Sequence, residues 1–206
     1  MDVLVLSFPL LVGLIGVALL FDFLNGLHDA ANSIATIVST RVLRPQYAVA
    51  WAAFFNFIAF AVFGLHVAQT IGTGIIHPEV IDAHVIFAAL IGAIVWNLVT
   101  WYYGIPSSSS HALIGGMMGA AMAKAGTAPL VASGILKTAL FIVVSPVLGM
   151  ILGALWMITV SWIFFRSTPK RVDRFFRRLQ LFSSAAYSLG HGSNDAQKTM
   201  GIIWLL

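Results

Sequence analysis

Two short polar segments interrupt an otherwise apolar chain, and each sets an aspartate among hydrogen-bonding groups. The first reads Asn25-Gly26-Leu27-His28-Asp29-Ala30-Ala31-Asn32, the second His191-Gly192-Ser193-Asn194-Asp195-Ala196-Gln197-Lys198. Superposed, they share Gly-x-(His/Asn)-Asp-Ala. A carboxylate at membrane depth is expensive and usually faces a substrate or ion path. Asp29 and Asp195 are therefore read as charge partners of a coupling cation or proton, with His28, His111 and His191 in or beside the polar segments as proton carriers. If the first segment is helical throughout, Asn25, Asp29 and Asn32 share one face at i, i+4 and i+7. Gly26 is expected instead to break the helix, baring carbonyl oxygens for a cation and aiming a helix N-terminus at an anion. In the second copy Asn194 and Gln197 add donors, and Lys198 is the one cationic side chain within either motif. It suits an anionic substrate, or neutralises Asp195. An isolated asparagine in a membrane bundle more often bonds only between helices. Two aspartates in matching contexts favour function.

A second constellation is Pro106-Ser107-Ser108-Ser109-Ser110-His111. Pro106 disfavours helix at Ile105, so the serines fall at a helix start and supply hydroxyls and backbone amides. A helix N-terminus facing a cavity holds an anion without a formal positive charge. The glycines that follow, Gly115, Gly116 and Gly119, are better read as close-packing positions. Serine with His111 does not make a hydrolase: no acidic partner lies nearby in sequence, and four serines offer no unique nucleophile. No histidine pair has zinc spacing, so no structural metal is assigned. His66, His77 and His84 are expected in or near a solvated outer loop, and Asp22 either joins the ion path or marks where the first helix meets water.

The elements that must position these residues are membrane helices. The chain of 206 residues is 60% hydrophobic and 9% charged, with a mean hydropathy of +0.96, whereas soluble domains are roughly a quarter charged. Apolar runs of span length occur at Val3–Phe23, Tyr47–Ala68, His84–Tyr103 and Leu181–Leu206. The serine element and its glycine-rich helix to Ala123 count as one further crossing. Pro129–Phe165 exceeds one simple span, and Ser145-Pro146 or Gly149 is expected to kink or break it. The expected organisation is a first membrane repeat at 1–165, a basic linker at 166–181, and the start of a second repeat at 182–206.

Arg166, Lys170, Arg171, Arg174, Arg177 and Arg178 cluster in that linker. Their position marks a cytoplasmic face rather than a nucleic-acid surface. With the N-terminus outside, Arg41 and Arg44 also fall inside, and Glu79 and Asp82 outside, although Lys124 is then external. An odd number of crossings between the motifs makes them inverted copies. Cysteine is absent, which excludes disulfides and thiolate sites.

These residues resemble the signatures of the inorganic phosphate transporter (PiT) family, particularly its bacterial low-affinity members. That family carries a Gly-x-Asn-Asp-(Ala/Val)-x-Asn signature in each half and a Pro-x-Ser-(Ser/Thr)-(Ser/Thr)-His element. The resemblance implies an all-α polytopic membrane protein with inverted-topology repeats and broken helices. It further implies that Asp29, Asn32, Asp195 and Ser107, Ser108, Ser109 and Ser110 contribute to phosphate and coupling-ion sites. Two departures bear on coupling: His28 stands where the family usually has Asn, and Gln197-Lys198 replaces Ala-Asn. Both favour protons over sodium. The chain ends within the first membrane segment of the second half, so the second repeat is expected to be incomplete.

The expected function is secondary active import of inorganic phosphate, alone or as a metal-phosphate complex, by a multi-pass protein of the cell's inner (plasma) membrane. No cofactor is expected beyond the coupling ion, H+ or Na+. Expected partners are phosphate and the lipid bilayer, with no nucleic acid, and a homo-oligomer is allowed. Substrate contacts are assigned to Asn25, Asn32, the four serines, Asn194, Gln197 and Lys198, and ion coupling to Asp29, Asp195 and His28. Sulfate is the alternative within the class, and a non-transporting oxyanion-binding subunit or sensor the alternative outside it.

Overall fold

In lipid the backbone can satisfy its polar groups internally only as helix or closed barrel, and this chain is helical. The computed structural model describes residues 7–62 and 74–206. His66, the end of the second apolar run and part of the outer connection lie outside the described residues. Six α-helices stand among them: α1 Phe8–Ser39, α2 Pro45–Val62, α3 Ala83–Tyr103, α4 Ser109–Ala125, α5 Ala132–Ile163 and α6 Pro169–Trp204. Three of these (α1, α3 and α5) are long and apolar enough to cross a membrane on their own.

Local chemistry sets the ends. Asp82 accepts a hydrogen bond from the Val85 amide and starts α3. Gly104, in the left-handed region at φ 66°, ends it. There Ile105 N–H donates to Thr100 O and Gly104 N–H to Trp101 O, a Schellman closure, before Pro106 forbids continuation. α1 closes in the same way with Arg41 in the left-handed conformation (φ 55°), and Val42 N–H reaches Ile37 O.

The expected break at Asn25-Gly26 does not occur, and neither does a break at Ser145-Pro146 or Gly149. α1 passes unbroken through Asn25 and Gly26. A glycine inside a helix costs only about 1 kcal/mol, whereas stripping backbone groups of partners in an apolar interior costs several. α5 is likewise one helix through Pro146. Membrane helices tolerate the lost N–H where neighbouring groups take up the freed carbonyl. The basic segment is also helical: the boundary read at 181–182 falls inside α6, whose first turns are stabilised by Arg177 paired with Asp173 at i, i+4.

α1 and α6, which carry the two motifs, run antiparallel. Thr199 donates to Asp22 at 2.7 Å and Thr40 to Gln180 at 2.7 Å, so residue numbers fall on α6 as they rise on α1. The motif copies are thus inverted relative to each other.

Around this pair, α2 packs against α1 and α6, and α3 against α1 and α4. The core joins Phe21 of α1, Ala89, Leu90 and Ala93 of α3, Leu113 and Met117 of α4, and Ile202 of α6. Between lipid-bathed helices the association comes from close packing rather than from the hydrophobic effect. Two glycines permit it. A Cβ on Gly116 would stand 2.5 Å from Ala89 O, and one on Gly192 2.6 Å from Asn56 O. α5 contributes no buried residue.

Candidate functional site

The site lies where the middle of α1 meets the second half of α6 beside the first turn of α4. Continuity of α1 places Asn25, Asp29 and Asn32 along one side, and Asn32 donates to Asp29 at 3.2 Å. Ser108 caps α4, accepting from the His111 amide. Ser109 then turns toward α1, where its buried hydroxyl bonds Asn25 Oδ1 and reaches Asp29 Oδ2 at 3.4 Å. Ser107 accepts from Trp96 Nε1 at 2.9 Å, fixing the loop to α3.

On α6 the helical repeat stacks His191, Asp195 and Lys198. Asp195 pairs with His191 Nδ1 at 3.1 Å and is hydrogen-bonded by the buried Lys198 ammonium. Across the helix interface, Asp29, His191 and Asp195 each offer one ligand atom, all within 4.8 Å of one another. Oxygen and imidazole donors at that spacing suit a small cation or a shared proton.

Two cavities meet at these three side chains. The larger, about 1060 Å³, is lined on its polar side by Ser107, Ser108, Ser110, Lys137, Asn194 and Lys198, among others. It also borders Pro106 and His111 at the N-terminus of α4. Hydroxyls, two ammonium groups and a helix N-terminus are groups that suit an anion. The smaller cavity, about 400 Å³, is lined by Asp22, Asn25, Ser33 and Asn56. Ser33 Oγ and Asn56 Oδ1 are buried there without a hydrogen-bond partner. Its polar lining is dominated by oxygen, which suits a hard cation. Asp29, His191 and Asp195 line both cavities.

Most residues singled out from sequence converge here. Asn32, Ser107, Ser108, Ser110, Asn194 and Lys198 line the larger cavity, Asn25 lines the smaller, and Ser109 joins the two elements. His28 and Gln197 line neither, and Gln197 is buried within the bundle. Asp22, left open by the sequence, faces the smaller cavity. Sequence reasoning passed over Lys137, Ser33 and Asn56. Lys137 is the one charged residue between Pro129 and Phe165, a signal that was available. Ser33 and Asn56 carried none, because single small polar residues in apolar runs are ordinary. His77 and His84 are exposed, as read.

Comparisons with known proteins bear on the family and the fold. Residues 25–206 match the family model described as "Phosphate transporter family". The chain is 70% identical over 201 residues to a probable low-affinity inorganic phosphate transporter of Rhizobium meliloti, covering 98% of this chain and 60% of that protein. A Bacillus subtilis protein with the same description is 48% identical, with 90% of this chain and 56% of the relative covered. The chain therefore spans less than two thirds of the length of these curated relatives. A solved structure described as the sodium-dependent phosphate transporter superposes with a TM-score of 0.87 at 25% identity, covering 96% of this chain and 67% of that one.

Proposed function

The chain belongs to the phosphate transporter family and is a multi-pass membrane protein, and on that premise we propose that it carries inorganic phosphate across the membrane by cation symport. One observation carries the reading: a chamber suited to an anion and an oxygen-lined chamber share the same three side chains, Asp29, His191 and Asp195. A cation at that node offsets the two carboxylates and lowers the cost of bringing a multiply charged anion beside them. Ser107, Ser108, Ser110, Asn194, Lys137 and Lys198 then hold the phosphate. Gln197 supports α6 from within the bundle rather than touching substrate. The antiparallel motif helices supply the paired elements whose rocking exposes the site alternately.

Protons are the coupling ion in this reading. His191 and Lys198 stand against Asp195 as titratable groups, where a sodium site would surround the ion with oxygen ligands alone. Sodium is the second reading, and it has its own observation in the unpartnered Ser33 and Asn56 oxygens. The substrate is phosphate, bare or as a metal-phosphate complex, taken up through a plasma membrane with the N-terminus outside and the basic segment cytoplasmic. The uncovered surface of α5 is compatible with assembly of several copies.

Uptake of radiolabelled phosphate into proteoliposomes, with a pH gradient or a sodium gradient imposed, tests this. Accumulation driven by the pH gradient, and resistant to competing sulfate, is expected. Preferential competition by sulfate would reassign the substrate. Oxyanion binding without counterflow would make the chain a binding subunit or sensor.

A further inference from the structure

The basic segment at the start of α6 forms a site apart from the transport cavities. A concavity of about 560 Å³ is lined by Lys170, Arg171, Arg174 and Arg178 with Phe164 and Phe175. Lys170, Arg174 and Arg178 repeat every four residues, and Arg171 lies three before Arg174, so the four cations share one side of the helix. Like charges at this spacing repel, and cations in the first turns oppose the helix dipole.

The nearby acid does not relieve them. Asp173 is taken by Arg177, whose guanidinium also donates to the carbonyls of Thr40 and Arg41 at the end of α1. Among the described residues, no carboxylate pairs with Lys170, Arg171, Arg174 or Arg178. Four uncompensated cations around one hollow are an arrangement that a phosphate-bearing anion would stabilise.

The apolar border indicates which anion. Phe164 packs against Phe175 and Phe176, with ring centroids 5.6 and 5.1 Å apart, and lines the hollow together with Phe175. Beside it the end of α5 and the turn that follows leave Trp162 85% and Phe165 83% exposed, with Ile163 also uncovered. Exposed aromatics at the end of a membrane helix sit at the headgroup level. We propose that this hollow binds the headgroup of an anionic phospholipid, its phosphate among Arg171, Arg174 and Arg178 and its acyl chains along the end of α5. Free phosphate shares the headgroup's charge but has no use for the aromatic border.

Native mass spectrometry of the full chain in detergent, titrated with phosphatidylglycerol or phosphatidylcholine, tests the proposal. Selective binding of phosphatidylglycerol is expected, unaffected by excess inorganic phosphate. Arg174→Gln and Arg178→Gln should each weaken it about fivefold. Arg166→Gln, which removes a cation of the same segment outside the hollow, should weaken it less than twofold. Circular dichroism checks that each variant retains its helices, and either of the two hollow variants suffices. Equal binding of both lipids, displacement by inorganic phosphate, or equal loss in Arg166→Gln and the hollow variants would overturn the assignment.

Discussion

Gly192 offers a sharp test of how packing supports the site. Gly190 and Gly192 lie two residues apart on α6, and both become alanine with one added methyl. At Gly190 nothing lies within 4 Å of the new Cβ. The change should therefore gain the helix preference of alanine over glycine, up to about 1 kcal/mol. At Gly192 the Cβ would meet Asn56 Cα at 2.5 Å, Asn56 O at 2.6 Å and Asn56 C at 2.9 Å. All three are backbone atoms, which no rotamer change relieves, so α2 must move away from α6. Gly192→Ala gains the same helix preference, so that contribution cancels, and overpacking of this kind at about 1–3 kcal/mol sets the two variants roughly 1–3 kcal/mol apart. Because Gly192 and Asn56 also line the smaller cavity, Gly192→Ala should lower phosphate uptake while Gly190→Ala leaves it intact. Denaturation by SDS in mixed micelles, followed by circular dichroism, reads the stability difference. Equal midpoints of Gly190→Ala and Gly192→Ala would refute the close α2–α6 contact and the argument built on it.

Further expectations follow from single contacts. Ser109→Ala should leave the buried Asn25 oxygen without its donor and cost about 1–3 kcal/mol, with weaker phosphate binding in equilibrium dialysis. Thr199→Val removes the 2.7 Å bond to Asp22, a charge-assisted interaction of about 1.5–3 kcal/mol, measurable in the same SDS titration. Asp82→Ala should lose the cap of α3, about 1 kcal/mol, and little more, because its pair with Lys124 is more than a third exposed on both sides. Burial alone would raise the Asp82 pKa, but hydrogen bonds from Lys124 and the Val85 amide, with the charges of Lys124 and His84, outweigh it and hold it below the ordinary carboxylate value. Its contribution is thus present above the ordinary carboxylate range and lost as pH falls through the depressed folded value. Thermal transitions of wild type and Asp82→Ala should converge on acidification.

Much of the site was legible because charge in an apolar chain is conspicuous. Asp29, Asp195, Lys198 and the serine run stand out against their surroundings, and the structure brings them together. The helices around them were legible from apolar length, and α3 begins within a residue of its expected start. The missing parts depended on tertiary context. Gly26 and Pro146 signal breaks in isolation, yet the lack of alternative backbone partners in an apolar setting keeps α1 and α5 continuous. The basic segment read as a linker because of its charge, but lysine, arginine and leucine are good helix formers, and the Arg177–Asp173 pair supports the turn. Asn56 and Ser33 join the site only through the packing of α2 and α6 against α1, which no local pattern announces. His28 shows the converse: its sequence neighbourhood suggested a role, but helix geometry places it one residue from Asp29 and therefore off the shared face.

The central claim is that phosphate and a cation meet at Asp29, His191 and Asp195, so their binding must be linked reciprocally. The direct measurement is phosphate affinity of the full chain in nanodiscs across a range of pH and of sodium concentration, for wild type and Asp29→Asn. Affinity should rise with the coupling cation by a factor of about 5–150 in wild type, and that dependence should vanish in Asp29→Asn. Phosphate binding indifferent to both cations, or an Asp29→Asn protein that keeps the wild-type dependence, would contradict the account.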